Sequence, residues 1–288
     1  MEKSLRLKAW LVMLLLILLP AVAYGQDQHE ALVQELYIKS GLEKQMRELP
    51  ASLQAGLDQP PITGDRLIKP DQQVIMLMKA LAPEAFAPEL LKEEMLPEFR
   101  TKLTTGDLKT ILKWLNSPLG MKCTRLEEEA STPEAYIETK KYGESLKKSP
   151  PTAKRLRLIQ KFDAAVQATK NSVSTFINIQ TAVSLGINAS LPSEQQQSLA
   201  DIRREVNQSR PEIEANMKLE TLMSLLYTYR NLTGAEIGQY IKFASSKAGV
   251  KYRVVTDNAW EKALIHGGIR WGKAVGEAMK QVDSQADV

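Results

Sequence analysis

The chain has 288 residues, 43% hydrophobic, 25% charged and 6% aromatic, with one cysteine, two histidines and a formal net charge of +4. That apolar content excludes a disordered chain. A single thiol excludes an internal disulfide framework or a cysteine-rich zinc site, and two histidines leave little for imidazole catalysis or a histidine metal cage.

Residues 1–25 read as a secretory signal peptide. Lys3, Arg6 and Lys8 outweigh Glu2, Trp10–Val22 is almost wholly apolar, and the small residues Ala21, Ala23 and Gly25 precede a polar start at Gln26. Cleavage before Gln26 or before Tyr24 fits the small-residue rule. The alternative is an uncleaved inner-membrane anchor, although the apolar run is shorter than the ~20 residues a bilayer core requires. The expected location is therefore periplasmic or secreted. Removing this segment lowers the charge from +4 to +2, too near neutrality for a general attraction to nucleic acid.

The remaining chain reads as helix throughout, in two halves of similar plan, 26–149 and 150–288. Leu32, Leu36, Leu42, Met46, Leu49, Leu53 and Leu57 follow a 3.6-residue period over Ala31–Leu57. Pro60, Pro61, Gly64 and Pro70 mark a loop. Val74–Leu81 and Pro88–Phe99 are short apolar segments set off by Pro83, Pro88 and Pro97. Thr104 or Thr105 caps a helix through Leu115; another covers Met121–Ala130, and Thr132-Pro133 starts a third. After the break at Pro150-Pro151, one long helix is expected from Ala153 to about Leu185, ending near Gly186. Further helices begin at Leu191-Pro192-Ser193, Pro211 and Leu232-Thr233. The fold class is all-α, a helical bundle built on an internal repeat.

The repeat is the most informative feature. Leu103–Ala130 aligned on Leu232–Ala259 at an offset of 129 gives 7 identities in 28 positions, where composition alone gives about two. Leu103/Leu232, Thr104/Thr233, Ser117/Ser246, Gly120/Gly249 and Lys122/Lys251 are identical pairs, and Trp114 matches Phe243 in class. Each copy spells a Leu-Thr cap, an amphipathic helix ending in an aromatic, a Ser-x-x-Gly turn and a lysine two residues on. The glycines allow either a positive φ or a close backbone approach, and Trp114 and Phe243 suit a wedge between helices. A weaker match pairs Leu32–Leu36 with Leu158–Phe162.

Leu103-Thr104-x-x-Asp107-Leu108, Trp114, Ser117-Pro118-x-Gly120-x-Lys122 and Glu127 resemble the signature of domain-of-unknown-function family 2059, secreted bacterial helical proteins. The resemblance covers roughly Leu32–Ala130 and, more loosely, the second half, where Lys247 and Thr256 replace Pro118 and Glu127. It implies a periplasmic helical domain and supplies no catalytic residue.

Chemistry-bearing motifs are few. No phosphate loop, nucleophile elbow or His-Glu-x-x-His occurs. Glu127-Glu128-Glu129 points in three directions on a helix and reads as a solvated face. Cys123 reads as a small buried hydrophobe. Asp257, Glu261 and His266 form no tight ligand set, and an amino-terminal Asp27-Gln28-His29 copper or nickel site would require a disfavoured cleavage. No cofactor and no metal are therefore implied. The basic stretch Lys140–Lys161 reads as an interdomain linker, with weak or no membrane contact. In the carboxy-terminal helix, Gly268, Gly272 and Gly276 recur every four residues and form a groove for another helix. Its occupant is either the long Ala153–Leu185 helix, through Ala164, Ala165 and Ala168, or a protein partner or homodimer. Two function classes follow: a periplasmic interaction or binding module, and an envelope hydrolase using carboxylates brought together by folding, such as Glu43 or Glu48 with Asp107.

Overall fold

The computed structural model describes residues 27–58 and 72–286. The signal-like segment and the expected loop at Pro60–Pro70 lie outside them. Every regular element among the described residues is helical. The first half holds α1 (27–39), α2 (Leu42–Leu57), α3 (Gln72–Ala85), α4 (Pro88–Lys102), α5 (Thr105–Leu115), α6 (Pro118–Ala130) and α7 (Pro133–Lys148). The second holds α8 (Ala153–Val166), α9 (Ala168–Ser190), α10 (Leu199–Gln208), α11 (Arg210–Thr228), α12 (Gly234–Ala244) and α13 (Lys247–Ala286), with a short 3-10 turn at Ser193–Gln195.

Several starts carry their own chemistry. The side chains of Thr104, Ser117, Thr132, Thr152, Ser198 and Thr233 each accept a hydrogen bond from a first-turn amide, satisfying donors that a helix cannot pair itself. Pro83 and Pro97 do not end helices as expected. They sit inside α3 and α4, where burial of Ala82, Phe86, Leu96 and Phe99 outweighs the lost backbone bonds.

The expected single helix from Ala153 to Leu185 is two helices. Gln167 adopts φ 55°, and Asp163 accepts from both the amide (2.8 Å) and the hydroxyl (2.7 Å) of Thr169, restarting the chain as α9. The only other described residue in the left-handed region is Gly41 at φ 77°, between α1 and α2. The two lie 126 residues apart, the offset of the weak upstream match. Val33 and Leu36 of α1 and Ile159 and Phe162 of α8, equivalent at that offset, are all buried.

Packing crosses the boundary at Ser149–Pro151. The largest core joins α1–α5 to α13 through Phe86, Met95, Phe99, Ile111, Leu264 and Trp271. A second core carries α6 into the other half, setting Cys123 and Leu126 among Ile159, Phe162, Leu226 and Ile237. A third joins α9, α10 and α11. Each half thus contributes helices to a core made mainly by the other.

The glycine stripe of α13 lies on α9, the most extensive helix pair in the fold. A Cβ on Gly272 would stand 2.0 Å from the carbonyl oxygen of Val183, and one on Gly276 would stand 1.9 Å from Ser190 Oγ. Gly186 answers from α9, where a Cβ would stand 2.3 Å from the Ile269 carbonyl oxygen. The groove is filled within the chain by Ala182, Val183, Gly186 and Ser190 rather than by Ala164, Ala165 and Ala168. The reason is the break at Gln167, which makes α9 a separate helix that runs on past Gly186.

Candidate functional site

The two motif segments meet face to face. At the start of α5, Thr104 N–H donates to Asp107 Oδ2 at 2.9 Å and Asp107 N–H donates to Thr104 Oγ1 at 3.2 Å. At the start of α12, Thr233 N–H donates to Glu236 Oε2 at 2.7 Å and Glu236 N–H donates to Thr233 Oγ1 at 3.2 Å. Both are capping boxes. Lys122 reaches across to Glu236 at 2.7 Å, and Lys251 reaches across to Asp107. Each motif's lysine therefore binds the capping acid of the other. These hydrogen bonds hold the carboxyls of Asp107 and Glu236 down to about 2, with Lys251 and Lys122 respectively the largest cause.

Between the two lysine pairs, Trp114 stacks on Phe243 with centroids 4.5 Å apart and planes 10° from parallel. Ser117 and Ser246 accept from the amides of Gly120 (3.0 Å) and Gly249 (3.1 Å). A Cβ on Gly120 would lie 2.0 Å from the Trp114 carbonyl oxygen, and one on Gly249 would lie 2.1 Å from that of Phe243. Close approach, not positive φ, is what both glycines serve. Leu103 and Leu232 are both buried beneath the caps.

One acid departs from expectation. Glu127 does not join a solvated face: its Oε1 accepts from the hydroxyls of Tyr229 (2.7 Å) and Tyr240 (2.9 Å). Those rings pack against Phe162 at 4.8 and 4.9 Å. Burial pushes the Glu127 carboxyl above its usual range, against the two phenol hydrogen bonds, which lower it. Cys123, one turn earlier and buried as expected, has its thiol pushed up to about 12 by the same desolvation. Sequence could not reveal this cluster, because Glu127 meets its partners more than a hundred residues away. The hint was the departure of the second motif at this position, where Thr256 stands.

The remaining candidates are dispersed. Asp257 accepts from Asn171 at 2.9 Å and from Arg253 at 3.1 Å, and Glu261 accepts from Asn178, so both face α9. His266 instead lies 3.3 Å from Glu94 of α4, which also binds Arg270 at 2.6 Å. Their different faces explain why Asp257, Glu261 and His266 form no cage. Among the described residues, no group of three or more His, Cys, Asp or Glu side chains is placed to hold a metal ion. The His29 ring bridges Thr105 Oγ1 (3.2 Å) and the Arg100 carbonyl (3.1 Å). Asp107 faces Lys251, while Glu43 is exposed. Within the basic stretch, Arg155 donates to the carbonyls of Leu232 (2.8 Å) and Tyr229 (2.6 Å), closing the end of α11.

Beside the stacked rings lies an open groove of about 540 Å³, lined by Thr110, Lys113, Trp114, Ser117, Pro118, Leu119 and Gln239. Thr110 and Gln239 are 129 residues apart, the offset at which the two motif segments align, so the groove lies where those segments meet.

Residues 89–148 match the family model described as "Uncharacterized protein conserved in bacteria (DUF2059)". The chain is similar to that family over this stretch alone. The stretch runs from the first turn of α4 to the end of α7, and so contains the whole first motif, Glu127 and all but one of the groove-lining residues. No curated protein and no solved structure matches the chain. No helix among the described residues is long and apolar enough to cross a membrane.

Proposed function

We propose that the chain is a periplasmic or secreted binding module, built from two copies of one helical unit, whose ligand seat is the groove at the junction of the motifs. One observation carries this reading. Thr104, Ser117, Gly120, Lys122 and their counterparts are all engaged in closing the fold, whereas Trp114 also presents part of its ring to an open, mainly apolar groove ringed by Lys113, Thr110 and Gln239. Such concavity with a few polar groups at its rim suits binding. The signal-like first 25 residues supply the location.

The alternative, a hydrolase with a paired carboxylate, needs two acids facing one another. Glu127, the acid most strongly set apart, faces two phenols instead. The test is photocrosslinking in the bacterial envelope from p-benzoylphenylalanine at Gln239, with Lys148 as a remote exposed control. A discrete adduct from position 239, lost on Trp114→Ala and absent from position 148, supports the groove. Identical adduct patterns from both positions overturn it.

A further inference from the structure

We propose that the groove at the junction of the motifs seats an extended stretch of an acidic, amphipathic polypeptide, with an apolar side chain on Trp114, Pro118 and Leu119 and carboxylates toward Lys113 and Lys242. This assignment rests on the groove being the ligand seat. The charge of the chain is concentrated at this junction. Residues 104–122 hold Lys109, Lys113 and Lys122 against Asp107, and residues 233–251 hold Lys242, Lys247 and Lys251 against Glu236, a net +4. Without its signal-like segment the chain sums to only +2, so everything outside the two segments is net acidic. Asp107 and Glu236 are each taken by a lysine, Lys251 and Lys122. Lys109, Lys113, Lys242 and Lys247 remain; all four are exposed, and none of their ammonium groups pairs with a described residue. Among the described residues, no acid lines the groove.

The two segments present matching polar edges. Thr110 and Lys113 lie three residues apart on the exposed face of α5, and Gln239 and Lys242 lie three residues apart on that of α12. Each pair stands where the other does at the offset of 129. The apolar floor is not matched. Where the first segment has Pro118 and Leu119, the second has Lys247 and Ala248, and only the first two line the groove. The groove is therefore apolar toward the first segment and cationic toward the second. An occupant that satisfies both ends carries an apolar side chain and carboxylates on one short stretch. A polypeptide suits this better than hydrocarbon. A lipid tail laid in an open groove keeps much of its area in water, whereas an extended peptide turns alternate side chains inward and outward. The Thr110 hydroxyl and the Gln239 amide are groups that pair with a peptide backbone.

Fluorine NMR of the fluorotryptophan-labelled protein reads the groove at Trp114, whose signal is assigned by its loss in Trp114→Phe. Trp271, 3% exposed and donating to the Met78 carbonyl at 2.8 Å, is the reference. The probes are a pool of end-blocked octapeptides mixing leucine, serine and glutamate at random, and the isosteric pool with glutamine for glutamate. The acidic pool should shift the Trp114 signal at a half-saturating concentration at least about tenfold below that of the neutral pool. Lys113→Gln and Lys242→Gln should each weaken the acidic pool about threefold, and about tenfold together. Raising the salt in the wild type should narrow the same difference. Equal concentrations for the two pools, or a preference that survives both substitutions, overturn the acidic partner and leave the groove standing. A shift produced by phosphatidylglycerol vesicles but not by the acidic pool overturns it in favour of a lipid surface. If neither pool moves Trp114 while the photocrosslinked adduct at position 239 still forms, the acidic partner is overturned and the groove retained; loss of that adduct as well overturns both.

Discussion

Replacing Gly272 by alanine adds one methyl group where α13 lies on α9. The new Cβ would stand 2.0 Å from the Val183 carbonyl oxygen, 2.8 Å from its carbon and 3.0 Å from Ile187 N. All three are backbone atoms, so no side chain can swing aside. To reach an ordinary 3.4 Å contact, the helices must part locally by about 1.4 Å. A gap of that size loosens the neighbouring contacts at Gly268, Gly276 and Gly186, because dispersion falls steeply with distance. Overpacking costs ~3 kcal/mol at the upper end of its range, while alanine returns ~1 kcal/mol of helix propensity. The net expectation is a loss of ~2 kcal/mol, or a melting temperature lower by roughly 4–8 °C for a chain of this size. Gly238 of α12 is the internal control, since nothing lies within 4 Å of its added Cβ. Gly238→Ala should gain up to ~1 kcal/mol. Urea denaturation of both variants measures the signs, and light scattering on the same samples reports mass. A Gly272→Ala protein as stable as wild type refutes the close approach; a halved mass without loss of stability would return the stripe to a dimer interface.

Three further outcomes follow from the same geometry. The Asp107 carboxyl is held near 2, below the ~3.9 of an unfolded aspartate, so its stabilisation is present above about pH 4 and fades as pH falls toward 2. Lys251→Met should therefore flatten the acid limb of a melting-temperature profile between about pH 5 and 2, and an unchanged limb would count against the crossed pairing. Asp163→Ala removes the side chain that restarts α9 and should cost ~1 kcal/mol by urea denaturation. Gln167→Gly relieves a left-handed φ of 55° and should stabilise, whereas Gly41→Ala, at φ 77° with Glu128 Cγ 3.0 Å from the new Cβ, should destabilise. Equal signs for that pair in thermal melts would show that backbone conformation does not govern the two corners.

Much of the fold is legible in the sequence because helix periodicity and capping are local. Thr104 and Thr132-Pro133 announce helix starts within four residues, and the structure places caps at both. The motif is legible because its parts recur at a fixed offset. The break at Gln167 was not, since a non-glycine left-handed corner has no strong residue signature and its stabilising Asp163 lies inside the preceding helix. The setting of Glu127 is hidden for a related reason. Three consecutive glutamates look solvated, and only folding brings Tyr229 and Tyr240 to one of them. The glycine stripe was readable as a groove but not as to its occupant, because register between α13 and α9 is set by tertiary contact.

The 40-residue length of α13 has a consequence for biogenesis. At 1.5 Å per residue it is a rod of about 60 Å, and the first half's largest core includes Leu264, Trp271 and Val275 from it. Synthesis delivers the chain from the amino terminus, so α1–α5 emerge long before the helix that covers them. That core stays unsealed until α13 arrives. The protein therefore completes its first core last, and its early helices need shielding for nearly the whole of synthesis.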